Sequence, residues 1–236
     1  MTIKKRFWTD VAVKPADGRF EVTLDGKTIK TPAKAALLLP SQAIADCVAR
    51  EWDAQDGDIN PDLMPATRMA NSVIDKVTLN RAAIIEMLAE YGGSDLLCYR
   101  ATGPEELIAR QADAWDPILD WVDTRFGRLN ITEGVMHIDQ PQTSLAALKE
   151  ALEKLTNWEL AAAHDLITIS GSLVLAMTVM HDHLLPSDAW ALSRIDETWQ
   201  IEQWGADEEA ETMAARKWSD FEFAAEFFNL ARNSKN

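Results

Sequence analysis

Leu160-Ala161-Ala162-Ala163-His164-Asp165-Leu166-Ile167-Thr168-Ile169-Ser170-Gly171-Ser172-Leu173-Val174-Leu175-Ala176-Met177-Thr178-Val179-Met180 is the stretch on which the fold turns. It is apolar on nearly every side, which predicts a helix enclosed by other helices rather than one lying on a surface. Its most apolar part, Leu166 to Met180, runs for 15 residues and includes Thr168, Ser170, Gly171, Ser172 and Thr178. A bilayer span needs roughly 20. The stretch is therefore expected to be the central helix of a helical domain, with Gly171-Ser172 in mid-helix where small residues let neighbours approach closely.

Helical periodicity extends outward on both sides of it. Toward the C-terminus, Pro186-Ser187 opens a helix carrying Leu192, Ile195 and Trp199, and Met213 to Leu230 forms another with Trp218, Phe221, Phe223, Phe227 and Phe228. Toward the N-terminus, Leu145, Leu148, Leu152 and Leu155 make a narrow stripe. Leu107, Gln111, Trp115, Ile118, Leu119, Val122 and Phe126 line one face of a long helix, which Pro117 should kink or split because its ring removes a backbone donor. Met69, Val73, Ile74 and Val77 lead into Ile84, Ile85, Leu88 and Tyr91. The first forty residues read differently. Phe7 to Val13 is strand-like and stops at Lys14-Pro15-Ala16-Asp17-Gly18, and Phe20, Val22 and Leu24 alternate with polar neighbours up to the hairpin signal Asp25-Gly26. Leu37-Leu38-Leu39 offers one more strand, and a helix follows through Ala43, Ile44, Cys47, Val48 and Trp52 to Asp56-Gly57. The expected fold is α+β: a small β-rich N-terminal domain, 1–64, followed by an all-α C-terminal domain, 65–236.

Charge narrows the function. With 23 basic against 38 acidic residues the 236-residue chain carries a formal −15 and a pI near 4.6. Residues 1–64 hold 9 basic and 10 acidic groups, and residues 65–236 hold 14 and 28, so the helical part owns the negative field. Such a surface repels phosphate backbones and anionic headgroups, so neither nucleic acid nor membrane insertion is expected. An apolar content of 47% excludes wholesale disorder. The opening Met1-Thr2-Ile3-Lys4-Lys5-Arg6-Phe7-Trp8 has charge but no apolar core behind it, so no secretory or transit signal is read there.

Chemistry-bearing motifs are absent. Cys47 and Cys98, each in an apolar setting, read as buried free thiols. His181-Asp182-His183 places two imidazoles about 200° apart on a helix, with no third ligand at a metal-site spacing, so a helix-end role is expected. Neither phosphate-loop nor dinucleotide glycines occur, and Gly171-Ser172 is no nucleophile elbow. No catalytic residue, metal or cofactor is expected. Nine tryptophans against two tyrosines is the odd count, since tryptophan is enriched where proteins bind proteins. The densest such region is Arg194-Ile195-Asp196-Glu197-Thr198-Trp199-Gln200-Ile201-Glu202-Gln203-Trp204-Gly205, where Asp196, Gln200 and Gln203 share one polar stripe with Trp199 at its edge.

Several short motifs resemble, in order along nearly the whole chain, the assembly-chaperone family of the F-type ATP synthase. They are Arg6-Phe7-Trp8, Leu24-Asp25-Gly26-Lys27 with Thr31-Pro32, Glu51-Trp52-Asp53-Ala54-Gln55, Ile59-Asn60-Pro61, Met64-Pro65-Ala66-Thr67-Arg68-Met69-Ala70, Ile74-Asp75, Ser94-Asp95-Leu96-Leu97-Cys98-Tyr99-Arg100, Trp115-Asp116-Pro117, and Gln200 through Trp204-Gly205. The resemblance implies the same two-domain architecture and a chaperone, not an enzyme. It would bind the unassembled α subunit, shield its subunit-interaction surface and promote assembly of the catalytic head. It also implies a client-binding element at Asp196, Glu197, Trp199, Gln200, Gln203 and Trp204; Trp52 lies in a matching motif too, but is read as packing its helix against the N-terminal sheet. Lacking a targeting segment, the chain fits a bacterial cytoplasmic member acting as a monomer. The alternative is a small-molecule enzyme with a carboxylate site in an interdomain cleft.

Overall fold

In a computed structural model, residues 5–235 are described, so the opening stretch Met1 to Trp8, where targeting was assessed, lies partly outside the described residues. Four strands come first: β1 (Val11–Ala16), β2 (Arg19–Leu24), β3 (Lys27–Thr28) and β4 (Leu38–Leu39). The helices α1 (Gln42–Asp53), α2 (Pro65–Ser72) and α3 (Thr78–Glu90) follow, with a π-helical turn at Val73–Val77 joining the last two. A short strand β5 (Tyr99–Arg100), the helix α4 (Glu105–Phe126) and β6 (Thr132–Glu133) come next. The chain ends in α5 (Gln142–Glu153), α6 (Asn157–Ser170), α7 (Leu173–Met180), α8 (Pro186–Ser193), α9 (Ile195–Trp204) and α10 (Glu208–Arg232). The α+β character, strands first and helices after, is as expected from sequence.

The chain forms two compact units. One comprises 1–81, 156–162 and 226–236, and the other 82–155 and 163–225. In the first, β2 is the hub of an antiparallel sheet. It pairs with β1 along one edge, while β3 and β4 share the other, at Thr23–Leu24 and Phe20–Glu21 respectively. Both hairpins turn on Asp-Gly: Asp17 and Gly18 have φ of 47° and 74°, Asp25 and Gly26 of 48° and 78°. This is the left-handed pair that a two-residue turn of the strands' own twist demands. β1 runs on through Lys14-Pro15 to Ala16, beyond where the sequence placed its end. Proline is tolerated because β1 is an edge strand.

Most of the family-like motifs of the first unit hold one another. Arg6 donates to the backbone oxygens of Asp53 (2.6 Å) and Gln55 (2.8 Å) at the end of α1. Trp8, in the segment ahead of β1, packs edge-on against Trp52 at 5.2 Å. The Glu51 carboxylate accepts from the Ala66 N–H (2.5 Å) and from the Thr67 N–H and hydroxyl (2.8 and 2.7 Å). It thereby satisfies first-turn amides of α2 that no helical carbonyl can reach. Burial raises its pKa above the usual carboxylate range against the pull of those donors. Asp75 accepts from the Thr31 hydroxyl (2.7 Å) and the Ala33 N–H (3.1 Å).

The second unit is built around α7, every residue of which is buried. Here the structure corrects the sequence reading: the apolar stretch is two helices, not one. α6 ends at Ser170, Gly171 takes a φ of +70°, and Ser172 restarts the chain as the N-cap of α7, accepting from the Leu175 N–H at 2.9 Å. Asp95, fully buried, completes the break. Its Oδ1 accepts from the Ser172 hydroxyl (2.8 Å) and the Leu97 N–H (3.1 Å), and its Oδ2 from the Val174 N–H (2.9 Å). A carboxylate at the positive end of α7 is electrostatically favoured. Burial nonetheless pushes its pKa up to about 6. Pro117 does not split α4, which runs unbroken from Glu105 to Phe126. Among the described residues no helix is long and apolar enough to cross a membrane.

Candidate functional site

The sequence-predicted residues all fall on α9 or its first turn, and the second unit fixes that helix by contacts from α4. At its start Ile195 is buried, and the Trp115 indole N–H donates to the Leu192 carbonyl at 2.9 Å, holding the preceding turn. One turn earlier on α4, Gln111 is 1% exposed and donates through Nε2 to Asp196 Oδ1 at 2.6 Å. The same amide accepts, through Oε1, from the Ala101 N–H at 2.8 Å. Beside it Arg110 forms a two-pronged pair with Glu202 (2.9 and 2.8 Å) and lies over the Trp199 ring at 5.0 Å. That guanidinium holds the Glu202 carboxyl below the usual carboxylate range. Three neighbouring α4 side chains thus reach three levels of the α8–α9 segment.

The consequence is a division among the predicted residues. Asp196 and Trp199 are half-buried and committed to α4, whereas Glu197, Gln200, Gln203 and Trp204 are exposed. Trp204 is the extreme case at 79% exposed, at the C-terminal end of α9 just before Gly205, whose φ is +89°. The stripe read from sequence as Asp196, Gln200 and Gln203 is therefore not one exposed face. Its first member turns toward α4, because a buried amide there offers a donor. Gln111, Arg110 and Glu202 were not singled out for the site by sequence reasoning. A glutamine on the otherwise apolar face of α4 was the available signal, since a buried amide must find partners.

Elsewhere the histidines and thiols take unremarked roles. His183 stacks on Trp121 (4.7 Å, 14° between planes) and His181 meets the same ring edge-on at 5.9 Å, so two imidazoles expected to diverge share one indole. This is possible because α7 has ended at Met180. No group of three or more potential metal ligands clusters among the described residues. Cys98 is buried and burial pushes its thiol up to about 12. Cys47, by contrast, is only half-buried, with its sulfur 3.0 Å from an Arg50 guanidinium nitrogen, which corrects the expectation of two buried thiols.

Comparison with known proteins gives this geometry its setting. The profile of the ATP12 chaperone protein family matches residues 5–123. The mitochondrial protein atp12 of Schizosaccharomyces pombe is 22% identical over 219 residues, covering 87% of this chain and 75% of its own. The crystal structure of Atp12 from Paracoccus denitrificans superposes with a TM-score of 0.92 at 42% identity, over 96% of this chain and 98% of that one. A protein of Agrobacterium tumefaciens superposes equally well, with a TM-score of 0.92 at 43% identity over 96% and 86%. The chain belongs to the ATP12 chaperone family, the chaperones of ATP synthase assembly.

Proposed function

We propose that this chain binds the unassembled α subunit of the F-type ATP synthase, shields its subunit-interaction surface until the neighbouring subunit arrives, and performs no chemistry. On this reading it works as a monomer in the bacterial cytoplasm and needs no cofactor. Client capture is assigned to the helical domain, 65–236, with 1–64 as the β-rich domain. An unpartnered subunit exposes apolar surface that promotes aggregation. A chaperone covering that surface stabilises the soluble form by mass action alone, with no nucleotide required.

The observation that carries the reading is Trp204, a large side chain left 79% exposed on a helix clamped by Arg110 and Gln111. A rigidly presented tryptophan loses little conformational freedom on binding, which is what a hot-spot anchor requires. The charge of −14 on residues 65–236 steers basic client segments toward the same domain. Co-expression with a tagged α subunit tests it: the two should co-purify, and Asp196→Lys should weaken capture without unfolding the chain. Recovery of no α subunit, or wild-type capture by Asp196→Lys at an unchanged melting temperature, contradicts the assignment.

A further inference from the structure

We infer that Gln111 is the positioning residue of the client-binding helix, and that Asp196 acts on the client through Gln111 rather than by touching it. The inference rests on the reading of α9 as the client-binding element and says how that element is held.

Three observations carry it. First, one oxygen of the Asp196 carboxylate is committed inward: Oδ1 receives the Gln111 Nε2–H at 2.6 Å, a charge-assisted contact of the strong kind. Second, Gln111 is 1% exposed, so no client can reach it, yet both ends of its amide are engaged, one on α9 and the other on the Ala101 N–H at 2.8 Å. The amide is thus a bridge with a fixed sense, donating toward α9 and accepting from the chain ahead of α4. Third, the contact sits at the first turn of α9, whereas the exposed Gln200, Gln203 and Trp204 occupy its last two turns. Loosening the first turn changes where the last one points. The Arg110–Glu202 pair braces the far end of α9 instead, and both its members are substantially exposed, so salt screens it.

The sense of the bridge supplies the test, made on the full chain. Asp196→Asn keeps an acceptor oxygen for Gln111. Gln111→Glu sets two carboxylates against each other. The double variant Gln111→Glu with Asp196→Asn restores the bond with donor and acceptor exchanged, since the new amide donates to the new carboxylate, which still accepts from Ala101. Two readouts are taken: capture of a purified ATP synthase α subunit, and amide hydrogen exchange across 195–204. Asp196→Asn should capture within about twofold of wild type, while Gln111→Glu should lose about tenfold, the scale of one charge-assisted hydrogen bond. Gln111→Glu should also speed exchange over α9, and the double variant should recover both readouts. Loss of capture by Asp196→Asn with α9 exchange unchanged would make the carboxylate a direct contact and overturn the inference. So would an unaffected Gln111→Glu or an unrescued double variant. If the wild type captures no α subunit, the client reading fails instead, and the exchange data alone decide whether Gln111 holds α9.

Discussion

Asp95→Asn interrogates the junction on which the second unit is built. The carboxylate accepts three hydrogen bonds, from Ser172, Leu97 and Val174, and is fully buried. Burial outweighs those donors and moves its pKa from an ordinary 3.8 to about 6. A raised folded-state value means that the folded chain binds the proton more tightly than the unfolded chain. This group's contribution is therefore greatest below about pH 4 and is lost as pH rises through 6, in total about 3 kcal/mol at 1.36 kcal/mol per unit. Between pH 5 and pH 7.5, above the pI of 4.6, roughly 1 kcal/mol of that is expressed. Asparagine has no such dependence. It keeps the two bonds to Oδ1 but turns an N–H toward the Val174 N–H, leaving buried donors unpaired at a cost of about 1–3 kcal/mol. In urea unfolding followed by circular dichroism, Asp95→Asn should be less stable than wild type at pH 5, and the gap should narrow by roughly 1 kcal/mol at pH 7.5. A gap that stays constant or widens with pH would refute the reasoning, since widening is the behaviour of a carboxylate whose pKa is depressed.

Other substitutions test other joints. Gly127→Ala should be more damaging than Gly171→Ala: both need positive φ, but a methyl at 127 would lie 2.7 Å from the Ser144 hydroxyl oxygen, while one at 171 meets nothing within 4 Å. Thermal unfolding should show about 1–2 kcal/mol for Gly171→Ala and a larger loss for Gly127→Ala. Glu51→Gln should cost about 1–3 kcal/mol, because the new amide cannot accept from both the Ala66 and Thr67 N–H groups. Equal stability in denaturant would remove Glu51 from its capping role. A thiol reagent added to the native chain should label half-buried Cys47 and spare Cys98, whose thiol is pushed up to about 12, until the chain is unfolded. Labelling of both at one rate would contradict the buried environment of Cys98.

Much of the architecture was legible because local chemistry states it. Asp17-Gly18 and Asp25-Gly26 can hardly do anything but turn a strand, and the structure places both at hairpin tips. Gly171 escaped because periodicity locates a helix by its wet face, and a stretch buried on all sides has none. The partner that caps its restart, Asp95, lies 77 residues away. The site shows the same limit. The exposed residues of α9 could be chosen from type and motif, but Asp196 finds Gln111 across 85 residues, and only the fold brings them together. The family-like motifs of the first unit illustrate the same point. Arg6 with Asp53, and Glu51 with Thr67, hold one another and so report architecture.

The most direct test of the account is a titration of purified, unassembled α subunit into the 236-residue chain, with wild type and Trp204→Ala measured side by side. A one-to-one complex with wild type, weakened by about 2 kcal/mol or more in Trp204→Ala, is the expected result for an exposed anchor on a braced helix. Absence of a complex, or equal affinity for both chains, would contradict it.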